Sequence, residues 1–175
     1  GCARAQGLAP MDEFELIRTF FAPLATTQGA DALRDDVAEI ATGDGRLIVT
    51  TDAIVEGVHF LASDPIETVA AKLVRVNVSD IIAKGGRPDG ALLSLVWPKG
   101  RDMGEVASFA GRLGRELSLW GAHLLGGDTT GTSGKLTLSM TLLGRCGPRG
   151  PVRRSGAKPG DEVWVTGAIG DGWLG

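Results

Sequence analysis

Residues 135–142 read KLTLSMTL, and this short stretch decides the class of fold. Leu136, Leu138, Met140 and Leu142 fall on one face, with Thr137, Ser139 and Thr141 on the other. Strict period-two alternation predicts a strand with one face on a core and the other open. Working outward, residues 46–51 (RLIVTT), 91–97 (ALLSLVW) and 162–166 (EVWVT) also read as strands. Helix starts stand between them. Asp12 with Glu15, Asp64 with Glu67 and Asp102 with Glu105 each place an aspartate three residues before a glutamate, as in a capping box. Pro65 suits the first position of the second helix. Ile17, Phe20, Phe21 and Leu24 follow the first start at helical spacing, and Val106, Phe109, Leu113 and Leu117 follow the third. Alternating helices and strands predict an α/β or α+β domain with a mixed sheet.

The 175 residues suffice for one domain with a real core. A net charge of −3 argues against nucleic acid and anionic membrane as partners, because both favour a basic face. No apolar run approaches the roughly 20 residues that span a bilayer. Two cysteines, Cys2 and Cys146, cannot make a disulfide framework or a cysteine zinc site, and they suit a reducing, cytoplasmic setting. Glycine is in excess, with 27 residues, which implies many tight turns or close backbone approaches.

The expected organisation has three parts: a disordered leader over 1–10, a main domain over 11–147, and a linker with the start of a second domain over 148–175. The composition shift at 144–160 (GRCGPRGPVRRSGAKPG) marks the linker. The glycine-rich ending at 170–175 (GDGWLG) suggests that the second domain is cut short.

Carboxylates carry the chemistry. Asp35 and Asp36 are adjacent, Asp52 ends a strand, Asp80 lies late in the second helix, and Asp128 follows Gly126 and Gly127. Aspartates at the ends of core elements can converge where hard oxygen ligands gather Mg²⁺ and phosphates. Each also reads as an ordinary turn or cap residue. In the second helix, Ile66, Ala70, Leu73, Asn77, Asp80 and Lys84 form one stripe that begins apolar and ends polar. Either Asp80 is buried and needs a metal or an ion pair, or the helix leaves the core and Asp80–Lys84 is an exposed pair. Residues 126–134 (GGDTTGTSG) read as a turn-rich loop between strands, suited to phosphate but matching no nucleotide fingerprint. Arg153 and Arg154 fit phosphate or a basic surface pair, and His59 fits a structural role or a substrate contact. No Ser-His-Asp or Cys-His arrangement is evident, so Mg²⁺-assisted phosphoryl transfer fits better than covalent catalysis.

Six segments, in order, resemble the thiamine-monophosphate kinase family: 13–17 (EFELI), 35–38 (DDVA), 50–60 (TTDAIVEGVHF), 72–88 (KLVRVNVSDIIAKGGRP), 126–130 (GGDTT) and 154–170 (RSGAKPGDEVWVTGAIG). The resemblance implies an ATP-binding superfamily that includes aminoimidazole ribonucleotide synthetase. It implies a four-stranded mixed sheet flanked by helices, pairing with a second subunit in a barrel-like homodimer interface. The implied reaction converts ATP and thiamine monophosphate to ADP and thiamine diphosphate. By motif, Asp35, Asp36, Thr50, Thr51, Asp52, Asp80 and Asp128 would hold several Mg²⁺ ions. Gly127, Asp128 and Arg154 would contact ATP, and His59 would contact thiamine phosphate. One departure is local: Leu33 and Arg34 precede the double aspartate where the family's approach usually contains glycine. Two other readings stay open, an ATP-dependent synthetase of the same superfamily and a non-catalytic, dimerising nucleotide-binding fragment.

Overall fold

A computed structural model describes residues 13–16, 18–19, 22–42 and 45–165. The expected leader, the cap at Asp12, the apolar positions Ile17, Phe20 and Phe21, and the ending over 170–175 lie outside them. A short helix α1 (Glu13–Leu16) and 3-10 turns over Ala22–Leu24 and Gln28–Leu33 precede the sheet. Then follow β1 (Ala38–Thr42), β2 (Gly45–Val55), α2 (Ile66–Ala83), β3 (Arg87–Pro98), α3 (Met103–Leu119), β4 (His123–Thr132) and β5 (Thr137–Cys146).

The sheet is mixed, as expected, but has five strands in the order β1-β2-β5-β3-β4 rather than four. Two strands, β1 and β4, are not among those read from the sequence, and β4 comes from the stretch expected to be a glycine-rich loop. Residues 126–132 continue β4, which lies parallel to β3 after the α3 crossover, while the other neighbouring pairs are antiparallel. Glycine makes this pairing possible. Gly127 has φ 152°, and a Cβ there would sit 1.8 Å from the Leu93 carbonyl oxygen. A stretch that reads as a turn by composition is therefore a close-packed edge strand.

Helices α2 and α3 pack on each other, α2 against β2, β5 and β3, and α3 against β4. The alternation of residues 135–142 sets the core beneath them, with Leu136, Leu138, Met140 and Leu142 fully buried. Each such side chain contributes about 1.5–3 kcal/mol on burial. From α2, Leu73, Val74 and Ile81 meet them, and from α3, Phe109, Leu113 and Leu117. Trp97 of β3 stands edge-on to Phe109 at 6.2 Å and carries Arg101 over its ring at 5.4 Å.

The helix starts divide. Asp102 caps α3, its Oδ1 accepting from the Gly104 N–H at 3.0 Å, and Glu105 pairs with Arg101 instead of reaching back. At α2 the expected box is absent. Pro65 takes the cap position rather than the first helical one, and Asp64 accepts from the Leu61 N–H at 2.8 Å. A proline cap has no side-chain acceptor, so the aspartate serves the preceding turn. The expected strand at 162–166 is also not formed over its described residues, 162–165, where Val163 and Trp164 are exposed. Alternation there has no neighbouring strand among the described residues to pair with. Among the described residues, no helix is long and apolar enough to cross a membrane.

Candidate active site

Strand periodicity sorts the TTD motif onto two faces. Thr50 and Asp52 of β2 face the helices, and Thr51 lies on the opposite side. The Thr51 hydroxyl donates to the Met140 carbonyl at 3.1 Å and accepts from Thr141 Oγ1 at 3.2 Å. Thr50, buried, donates through Oγ1 to Asp80 Oδ2 at 2.8 Å. The Asp52 backbone N–H donates to Asn77 Oδ1 at 3.2 Å, and Asn77 Nδ2 donates to the Leu73 carbonyl at 2.9 Å. Asn77 is fully buried and fully engaged, so it fixes β2 against α2. The Asn77–Asp80 spacing of the helical stripe therefore brings a carboxylate to the same side of β2 as Asp52.

Asp80 pays a visible electrostatic penalty. Partial burial, foremost, pushes its carboxyl above the ordinary 3.8, and the nearby Asp52 carboxylate adds to the rise. The Thr50 hydroxyl and the Lys84 ammonium act the other way without cancelling it. A pair of hard carboxylates, one of them destabilised in its charged form, is chemically matched to a divalent cation.

A second group adjoins it. Asp35, with its side chain 1% exposed, and Asp36 both pair with Lys84, whose Nζ lies 2.7 Å from Asp36 Oδ2. Arg153 reaches Glu39 at 2.7 Å and Asp35 at 3.5 Å, and Arg154 forks onto Asp36, with Nε 3.1 Å from Oδ2. Lys84 is itself buried, so the exposed Asp80–Lys84 pair considered from sequence is replaced by Asp80–Thr50 and Lys84–Asp35–Asp36. Arg153 and Arg154 likewise fold back onto acidic partners instead of forming a free basic surface. The backbone leading into this group is unusual. Asp31, Ala32 and Leu33 have φ of 44°, 51° and 58°, a left-handed run without glycine, at roughly 1–2 kcal/mol per residue.

Two expected residues stand apart. Asp128 is exposed on edge strand β4, beside Ser94 in the register. The register runs from Asp52 through Met140 and Leu93 to Gly127, so Asp128 lies three strands away, roughly 14 Å. His59 sits in the turn after β2. Its Nδ1 accepts from the Val55 N–H at 3.1 Å, its carbonyl accepts from Lys72, and its ring is exposed with Nε2 left for another partner. Among the described residues, no three His, Cys, Asp or Glu side chains stand together as a complete metal cage. Sequence reading missed Glu39 in this region and singled out Asn77 and Lys84 only as polar residues of the α2 stripe, without their partners.

The family model described as "AIR synthase related protein, N-terminal domain" matches residues 34–146, which span β1 to β5. The chain belongs to the AIR synthase related family. Among relatives in that family, the thiamine-monophosphate kinase of Caulobacter vibrioides is 45% identical over 99% of this chain and 50% of its own length. That of Aquifex aeolicus is 36% identical over 94% of this chain and 51% of its own. A solved structure of AaThiL complexed with AMPPCP and TMP superposes with a TM-score of 0.79 at 32% identity, covering 88% of this chain and 48% of that one. The chain thus spans about half the length of these relatives.

Proposed function

We propose that the protein carrying this chain transfers the γ-phosphoryl group of ATP to thiamine monophosphate, and that this chain supplies its nucleotide- and Mg²⁺-facing half. The observation that carries the reading is the Thr50–Asp52–Asp80 group, in which two carboxylates stand together with one of them disfavoured in its charged form. The choice of substrates is supported by relatives that are thiamine-monophosphate kinases, and by a structure holding AMPPCP, an ATP analogue, together with TMP.

Asp36, Thr50, Asp52 and Asp80 would hold Mg²⁺ on the helix side of the sheet, with Asp35 steadying Asp36 through Lys84. Thr51, on the opposite face of β2, and Asp128, three strands away, would serve further ions at separate positions. Bound there, Mg²⁺ would neutralise phosphate charge and order the oxygens for in-line attack. The chain's own part is positioning. A phosphate oxygen of thiamine monophosphate attacks the γ-phosphorus as the β–γ bridging P–O bond breaks, and ADP leaves with that electron pair. Gly127 and Asp128 would meet ATP at the exposed edge strand β4. Arg154, half on Asp36 and largely exposed, is placed to exchange its carboxylate for phosphate. His59, held through Nδ1, would offer Nε2 to the thiamine phosphate.

Pairing with a second copy belongs to the same reading, through the sheet face opposite the helices. Leu92 and Ala53 are exposed there beside Thr51 and Thr141. Residues 11–147 then form the nucleotide and dimerisation domain, and 148–175 lead into a second domain. The exposed Val163 and Trp164 suit docking onto such a domain. The cytoplasm suits the enzyme. The test is an assay of the full-length protein with ATP, Mg²⁺ and thiamine monophosphate. Thiamine diphosphate formed in step with ADP is expected, and ADP formation unchanged by thiamine monophosphate would refute the reading.

A further inference from the structure

Lysine is rarely buried, because its ammonium loses water unless partners replace it. Lys84 is 5% exposed, at the C-terminal end of α2, and has such partners. Its Nζ contacts Asp35 Oδ1 and lies 2.7 Å from Asp36 Oδ2, and its charge also reaches Asp80. One ammonium thereby acts on three carboxylates, pairing directly with Asp35 and Asp36 and reaching Asp80 through its field. Its backbone joins the same junction. The Lys84 carbonyl accepts from the Val152 N–H at 3.1 Å, which ties down the segment bearing Arg153 and Arg154. The Asp36 N–H in turn donates to Asp35 Oδ1 at 3.0 Å, so the double-aspartate turn is closed around the lysine.

Adjacent carboxylates repel, and a turn built on them ordinarily stays open until a cation arrives. We propose that Lys84 is a positioning residue, a resident cation that assembles the Asp35–Asp36 turn before any divalent ion binds. Asp35 is consumed as its buried counter-ion. Asp36 is held by Oδ2, so that Oδ1, covered by the exposed Arg154, is the oxygen left for exchange. The role assigned to Asp36 rests on the proposed function, whereas the metal-free order of the turn does not.

The test is amide hydrogen exchange over residues 34–38 in this chain, with EDTA and with Mg²⁺, for wild type, Lys84→Met and the double variant Asp35→Asn/Lys84→Met. In wild type the protection of Asp36 and Val37 is expected to be the same in both conditions. In Lys84→Met it should fall at least tenfold in EDTA and recover with Mg²⁺, while amides of β5 stay unchanged. The double variant has no buried unpaired carboxylate, so it retains the fold even where the single variant does not. It should still lose the protection in EDTA, because Asp36 is then held only by the largely exposed Arg154, whose solvent-screened pair is too weak to close the turn. Wild-type protection in EDTA in either variant would overturn the inference, since Lys84 would then only neutralise Asp35 or do nothing. Loss of protection that Mg²⁺ cannot restore, in a wild-type chain that binds no Mg²⁺, would support the positioning role and count against the proposed function alone.

Discussion

Two acidic centres in this molecule are built on opposite principles. Where α3 faces α2, Glu116 of α3 is 1% exposed in its side chain and receives the Arg75 fork, Nη2 at 2.9 Å and Nε at 3.1 Å, with Arg112 beside it. Those hydrogen bonds, Arg75's foremost, hold its carboxyl below the ordinary 4.5 despite burial. Across the core, Asp80 has one hydroxyl donor and a like-charged neighbour, and its carboxyl is pushed up. The first centre is complete within the chain and serves architecture. The second has no cation bonded to Asp80 itself, and the field of Lys84, already paired with Asp35 and Asp36, does not offset burial and the Asp52 charge.

The comparison can be broken most forcefully at Glu116. Glu116→Gln should destabilise by about 3 kcal/mol, because it leaves two arginines without their buried partner. Since the folded carboxyl lies below 4.5, its contribution is present above that pH and is lost as pH falls through the folded value. Thermal unfolding of both proteins should therefore diverge at neutral pH and converge in acid. An equal difference at all pH values would mean that shape rather than charge matters.

At Asp80 the expected effect is smaller and has the opposite sign. Asp80→Asn keeps an acceptor for Thr50 and removes the repulsion, so the metal-free chain should gain about 1 kcal/mol, roughly 2–4 °C. A raised folded value means that the carboxyl's stabilising form prevails below 3.8 and is lost as pH rises through that folded value. The gain should thus appear at neutral pH and vanish in acid. Destabilisation by this substitution in EDTA would show that Asp80 is structural after all.

How much of this was legible in the sequence follows from what each signal reports. The alternation of residues 135–142 located the core, and the Asp102 cap located α3, because both depend on local geometry. The β4 strand was not legible, since its glycines report backbone freedom and only the neighbouring β3 turns that freedom into pairing. The exposed stretch after 160 shows the converse: residues 162–165 alternate but have no described partner strand. In the site, the α2 stripe put Asn77, Asp80 and Lys84 on one face, yet whether Lys84 faced water or Asp35 depended on a contact 49 residues away. Glu116 escaped notice because its helical position reads equally as the edge of an apolar face.

The most direct test of the central claim is calorimetric titration of this chain with AMPPCP, with and without Mg²⁺, beside an Asp52→Asn/Asp80→Asn variant. The account predicts binding to wild type that requires Mg²⁺ and is lost in the variant while the fold is retained. Equal Mg²⁺-dependent binding by the variant would contradict it and move the cation site away from β2 and α2.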